Sequence, residues 1–349
     1  MGELIVNRSY DDHPDFNERL DADGEIEIGG VPFRPSAVLF AMDPEAWEAA
    51  LLDWENQERQ ARLDALTELR KFRENDRRVD ALIEAASRGA IVPFVGAGLT
   101  VPCGMPAWTD FLVGVAVHSG LKEHEVRARL KNGEYEEVAE EVMGRLGTPG
   151  FNDMFEGKFV LRVTPTGAVS HLPQFASGCV ITTNFDDVLE RVYEDVGERF
   201  VERILGCSQT GFGRALANRE HHLLKLHGDV RDSSSRVLTL AEYKSAYGES
   251  KIDFKRELPR TLRKAFMSSC LLFLGCRLEV DRTLDLFKEV VDVEGVDDLP
   301  KHYAMLAYPG DGSVSDRERF LADRHIFPIW FPPGEYEWIE AVTAVLADV

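Results

Sequence analysis

Five short segments of this chain are largely apolar: residues 90–95, 179–183, 223–226, 270–274 and 303–307. A strand that shows no polar alternation has both faces covered. Helical patterns separate these segments, as in Val188, Leu189, Val192, Tyr193 and Val196. Buried strands alternating with helices predict an α/β fold, a parallel sheet with helices on both faces. Residues 326–331 make a weaker sixth candidate, because Pro328 cannot donate to a ladder.

The rest of the chain is organised around that core. Residues 25–28, Gly29-Gly30 and residues 31–33 predict a small hairpin, since Gly-Gly suits a tight turn. From Pro44 the apolar positions Trp47, Leu51, Trp54, Leu63, Leu66 and Leu69 mark a long amphipathic helix. It serves either as a packing arm or as a helix for oligomerisation or partner docking. Asp76 is placed to cap a second helix, with Val79, Leu82, Ile83 and Ala86 on one face and Gly89 ending it. Between Trp108 and His171 the patterning is purely helical and predicts a lobe over one end of the sheet. We therefore expect a hairpin and helical arm over residues 1–78 and a catalytic domain over 79–349, with its helical lobe at about 108–171.

Composition narrows the function. Lys and Arg number 40 against 61 Asp and Glu, a formal net charge of −21. Such a surface repels phosphate backbones at long range, so direct nucleic-acid binding is not expected. No apolar run approaches the roughly 20 residues of a membrane span. The start, MGELIVNRSYDDHPDF, lacks the basic and apolar regions of a secretion signal. The five cysteines (103, 179, 207, 270 and 276) include no C-x-x-C, so neither a disulfide framework nor a zinc site is expected. Reducing cytoplasm fits them, with Cys179, Cys270 and Cys276 as small hydrophobes.

Four strand ends carry the chemistry. After the first strand comes Gly96-Ala97-Gly98-Leu99-Thr100. Glycines there let a backbone turn sharply and approach a pyrophosphate, although a plain tight turn needs them as well. Position 101 is Val101, so the third glycine of the dinucleotide fingerprint is missing. No phosphate loop of the G-x-x-x-x-G-K type occurs. The second strand runs into Thr182-Thr183-Asn184-Phe185-Asp186-Asp187. Here the amide of Asn184 and the carboxylate of Asp186 suit a ribose or an attacking water, or else Asp186 simply caps the next helix, with Asp187 competing. The third strand ends in His227-Gly228-Asp229, which puts a general base at the sheet edge. His221 and His222, before that strand, are poorer candidates. The fourth ends in Gly275-Cys276-Arg277. Arg277 admits three readings: a bidentate phosphate partner, a selector for a phosphorylated cofactor, or an exposed side chain.

The stretch GAGLT-VPC-GMP-AW, followed in order by TTNFD, LHG and FLG, resembles the sirtuin superfamily, over roughly residues 80–349. It is more similar to the bacterial sirtuin-like NAD hydrolase branch than to the protein deacylases. The deacylases carry a four-cysteine zinc ribbon and an Asp-Phe-Arg, where this chain reads Ala107-Trp108-Thr109. The resemblance implies a Rossmann-like sheet with NAD as the substrate and no metal. It implies Asn184, His227 and Asp186 as catalytic residues. Gly96, Ala97, Gly98, Thr100, Trp108, Thr183, Gly275 and Arg277 would line the nucleotide. At Cys276 and Arg277 the usual small hydroxyl residues are replaced, so the choice between NAD and NADP stays open. The branch further implies an NAD glycohydrolase of anti-phage defence, released by a trigger, forming a homo-oligomer and in some members partnered by a hexameric DNA-translocating ATPase. Two rivals stand beside it: an NAD-dependent protein deacylase or ADP-ribosyltransferase, and a non-catalytic NAD or ADP-ribose sensor.

Overall fold

A computed structural model of the protein describes residues 9–160, 163–207, 212–279 and 281–349. The first eight residues of the N-terminal segment, and of the start read above for a secretion signal, lie outside the described residues, as does Val280 beyond the fourth strand end. The chain divides into two compact units, one ending at Ala65 and one running from Leu66 to Val349.

In the smaller unit, α1 (Pro14–Leu20) precedes a hairpin of β1 (Ile26–Ile28) and β2 (Val31–Phe33), followed by α2 (Pro35–Met42). Gly29 and Gly30 turn the hairpin at φ +62° and +83°, the doubly left-handed turn that matches strand twist. Trp47 and Leu51 of the long helix α3 (Pro44–Lys71) pack with Phe16 in a small core.

The larger unit is built on a sheet of seven parallel strands. In chain order they are β3 (Ile91–Val95), β4 (Val180–Thr182), β5 (Glu202–Leu205), β6 (His222–Lys225), β7 (Cys270–Leu274), β8 (His302–Ala307) and β9 (Ile326–Phe331). Their spatial order is β5-β6-β4-β3-β7-β8-β9. The chain fills one half of the sheet, then crosses β3 to build the other, as in Rossmann-like folds. Successive strand residues feed opposite cores: Val95, Leu272 and Met305 on one face, Phe94, Phe273 and Leu306 on the other. Ile326–Phe331 is a full strand despite Pro328, because it lies at the sheet edge where a missing donor costs little. Asn75 covers part of that edge: its amide accepts from the Trp330 N–H at 3.0 Å and donates to the Trp330 carbonyl at 2.8 Å. Asp76 is therefore not the cap expected above. It is the first residue of α4 (Asp76–Ser87), and Asn75 stands before it with its side chain turned to β9.

Helices α5 (Trp108–His118), α6 (Glu123–Lys131) and α7 (Tyr135–Phe159) form a lobe between β3 and β4. Gly147, at φ +72°, interrupts α7 ahead of Pro149. The lobe has its own aromatic core of Phe111, Phe151, Phe155 and Phe159. The remaining helices flank the sheet: α8 (Leu172–Phe175), α9 (Val188–Asp195), α10 (Phe212–Asn218), α11 (Leu240–Tyr247), α12 (Glu257–Ser268), α13 (Arg282–Glu294), α14 (Val314–Ala322) and α15 (Glu337–Ala347).

Candidate active site

The four motifs leave the carboxyl ends of β6, β4, β3 and β7, which are consecutive neighbours in the sheet. Open α/β sheets hold their ligands at this edge. After β3, residues 97–99 form a single 3₁₀ turn. The Gly96 and Gly98 amides donate to the Leu274 and Gly275 carbonyls at 2.8 and 2.9 Å. A Cβ on Gly96 would lie 2.7 Å from the Gly275 carbonyl, and one on Gly98 would lie 2.8 Å from it. Gly275 itself, at φ +68°, would place a Cβ 2.2 Å from the Leu99 nitrogen. The three glycines are thus required by two strand-end turns packed on each other, and the Gly96 and Gly98 amides are taken by the protein itself. Arg277 is exposed, and its carbonyl accepts from Arg317 at 2.5 Å.

Beside this turn the Asn184 amide nitrogen donates to Thr100 Oγ1 at 3.2 Å. Thr100 donates in turn to Asp186 Oδ2 at 3.0 Å. All three residues are buried. The Thr183 N–H binds the Val95 carbonyl and the Asn184 N–H binds Thr182 Oγ1, which fixes the loop to β3 and β4. Asn184 Oδ1 is buried with no hydrogen-bond partner. An orphaned buried carbonyl costs roughly 1–3 kcal/mol, so it calls for an explanation. Burial raises the Asp186 pKa to about 6, against the lowering pull of Lys225, Thr100 and the Val188 amide. That amide, the first of α9, donates to Asp186 Oδ1 at 3.2 Å, while Asp187 holds the N-cap position without a side-chain cap bond and pairs with Arg231.

Phe185 points the other way, into the lobe, 5.0 Å from Phe155 and 5.6 Å from Trp108 between ring centroids. Trp108 therefore reaches the site through packing on Phe185. His227 sits 6.3 Å from Phe185 between ring centroids, and both its nitrogens lie 3.3–3.4 Å from the Tyr243 hydroxyl. Burial lowers its pKa to about 4, so the imidazole is neutral. The structure joins Thr100, Asn184 and Asp186 directly; His227 has no hydrogen bond to them. His221 and His222 are at the amino end of β6, where His221 stacks on Phe200.

Two residues escaped the sequence reading. Lys225, fully buried within β6, donates to the Phe185 and Asp186 carbonyls, to Glu190 and to Asp229. Burial presses its ammonium toward neutrality, but Glu190 and Asp229 outweigh that and raise its pKa. A lysine inside an otherwise apolar strand was the available signal. Tyr243, on α11, had none, because only folding brings it to His227.

A polar cleft of about 720 Å³ adjoins these loops, lined by Asp187, Glu190, Arg203, Asp229 and Arg231 among others. A cleft of about 910 Å³ opens instead at the amino ends of the strands, against Ala90, Gly178 and Ser269, and contains no motif residue. The chemistry-bearing groups decide between the two edges. Among the described residues no group of His, Cys, Asp and Glu is arranged to hold a metal, and no helix is long and apolar enough to cross a membrane. All five cysteines are unpaired.

Residues 178–329 match the SIR2-like domain, from just before β4 into β9. The chain is 25% identical over 192 residues to "NAD(+) hydrolase ThsA" of Enterococcus faecium, covering 55% of this chain and 38% of that protein. It is 22% identical over 246 residues to "NAD(+) hydrolase ThsA" of Acinetobacter baumannii (strain 532279), covering 69% of this chain and 47% of that protein. The chain thus spans less than half the length of these curated relatives. The SIR2-like match covers three of the four strand ends, those of β4, β6 and β7, on the parallel sheet.

Proposed function

We propose that the protein is an NAD⁺ glycohydrolase. The observation that carries this is Asn184 Oδ1, a buried acceptor with no partner, held still because the amide nitrogen is bonded to Thr100. Such a group suits a hydroxyl of the substrate ribose or a water at its C1′ carbon. The C1′–N bond to nicotinamide breaks with its electron pair leaving on nitrogen, and positive charge builds on the ribose. Asp186, mostly ionised above its pKa of about 6, stabilises that charge. Water then bonds to C1′ and releases one proton. Neutral His227 is the acceptor, and with an oxocarbenium-like carbon drawing the water in, a weak base suffices. The products are nicotinamide, ADP-ribose and a proton. Both relatives are named as NAD(+) hydrolases, which supports the same chemistry here.

An enzyme of this kind that was always active would exhaust its cell. The reading therefore includes a trigger, a cytoplasmic site of action in anti-phage defence, and assembly into a homo-oligomer with or without an ATPase partner. Chromatography of NAD⁺ incubated with wild type, Asn184→Ala and His227→Ala tests the chemistry. Wild type should release nicotinamide and ADP-ribose, Asn184→Ala should be slower by about 10²-fold or more, and His227→Ala should fall as well. Release unchanged in a folded Asn184→Ala refutes the assignment.

A further inference from the structure

An ammonium at the end of a buried strand is a poor way to fill space. Taking it out of water costs several kcal/mol, and a well-packed apolar chain of similar length is often as stable or more so. Lys225 shares its strand with Leu223 and Leu224, so an apolar residue would fit the pattern. What an apolar chain cannot do is bind carbonyls. The Lys225 ammonium has three hydrogens and meets four oxygens: Phe185 O at 3.1 Å, Asp186 O at 2.7 Å, Glu190 Oε1 at 3.0 Å and Asp229 Oδ2 at 2.8 Å. The first two belong to the loop after β4 that carries Asn184. Asp229 belongs to the loop after β6 that carries His227, and Lys225 itself lies two residues before that histidine. The Val230 N–H adds a second tie between the same loops, donating to the Phe185 carbonyl at 2.9 Å.

We infer that Lys225 is a positioning residue whose buried ammonium fixes the Asn184 loop against the His227 loop. This rests on the glycohydrolase reading above. Lys225 touches no reacting atom; it acts through the backbone of residues 185 and 186 and through its charge. The groups that face Asp186 are Thr100 and the Cys103 thiol from the turn after β3, Glu190 from α9, and Lys225 from β6. Lys225 is the only cation among them, so it restrains the upward push of burial on that carboxyl.

The test compares the full-length wild type with Lys225→Met and with Lys225→Met/Asp229→Asn. The double variant removes a buried carboxylate along with the cation, and it serves if the single variant does not fold. Thermal melts establish folding, and nicotinamide release is followed from pH 4.5 to 8.5. A displaced loop should lower kcat by about 10²-fold, the scale of an ångström-sized misplacement, with KM for NAD⁺ held within about threefold. The acid limb of kcat/KM should move upward, because Asp186 has lost its cation. A merely structural role would lower the melting temperature and leave that limb in place. Carbon-13 NMR titration of the Asp186 carboxyl, in wild type and variant, reads the same shift without turnover. A wild type that releases no nicotinamide therefore overturns the hydrolase reading and leaves Lys225 to be judged by this titration. A folded variant with wild-type kcat and an unmoved Asp186 titration overturns the inference.

Discussion

Asp186→Asn should make this protein more stable at neutral pH while disabling it. The carboxyl is 4% exposed, and burial lifts its pKa from 3.8 to about 6. A raised acid favours the folded state fully only below its unfolded value. That contribution is lost as pH rises through the folded value, here across roughly pH 4 to 6. Two units at 1.36 kcal/mol each put the penalty near 3 kcal/mol once both states are ionised, and at about 1 kcal/mol at pH 4.5. Asparagine has the same shape. Its oxygen still accepts from the Val188 amide, and its nitrogen faces Thr100 Oγ1, whose hydrogen is free to turn to the Ala97 carbonyl at 3.3 Å. Lys225 keeps Glu190 and Asp229, so its charge stays paired. Urea denaturation at pH 8 and at pH 4.5 should therefore show Asp186→Asn gaining about 2 kcal/mol on wild type between the two conditions. A gap between variant and wild type that does not change with pH would refute the claim that the Asp186 charge is buried at a cost. Nicotinamide release should fall in the same variant, since the charge that strains the fold is the one assigned to the ribose.

Gly275→Ala combines a left-handed φ of +68° with a Cβ 2.2 Å from the Leu99 nitrogen, whereas Gly104→Ala has φ +81° and open space around it. Thermal melts should separate a loss of about 1 kcal/mol at Gly104 from several at Gly275. Phe155→Ala empties the lobe core beside Phe185 and should cost about 3–5 kcal/mol, with slower nicotinamide release because Phe185 anchors the Asn184 loop; equal kcat in folded variant would separate lobe from site. His302 Nδ1 accepts from the Leu271 N–H at 3.1 Å and burial holds its pKa well below the usual value. A lowered histidine favours the folded state fully above about pH 6.5, and the benefit fades as pH falls below that. Melting temperature should accordingly drop between pH 7 and 5, and less so in His302→Gln.

Much of the sheet was legible because most of its strands are covered on both faces and so are largely apolar. Glu202–Leu205 escaped notice for the converse reason: as the opposite edge strand, with Glu202 and Arg203 exposed, it never shows an apolar run. Pro328 weakened a real strand because a sequence does not say which strand will be at the edge. At the strand ends, residue types and their order were readable, while their partners were not. Gly96 and Gly98 read as bare backbone for a pyrophosphate; only the fold reveals that Gly275 comes in against them. The segment 223–226 read as a buried strand without regard to Lys225, whose counter-charges Glu190 and Asp229 are brought to it only by the fold.

The strand-end loop 183–187 is where the fold departs furthest from what stability alone would select. Within a few residues it gathers an orphaned amide oxygen on Asn184, a carboxyl driven upward by burial at Asp186, and beneath them a buried ammonium. Left free, such a loop would turn these groups outward to water. Four constraints prevent it: Phe185 locked among the lobe aromatics, the Thr183 amide on β3, Thr100 between Asn184 and Asp186, and Lys225 on the carbonyls. Each comes from a different element, so no single neighbour holds the geometry, and relaxing the loop means breaking several contacts at once. Polar groups held at a cost by an over-determined frame are what a site for stabilising developing charge requires, since its dipoles must be in place before the reaction begins.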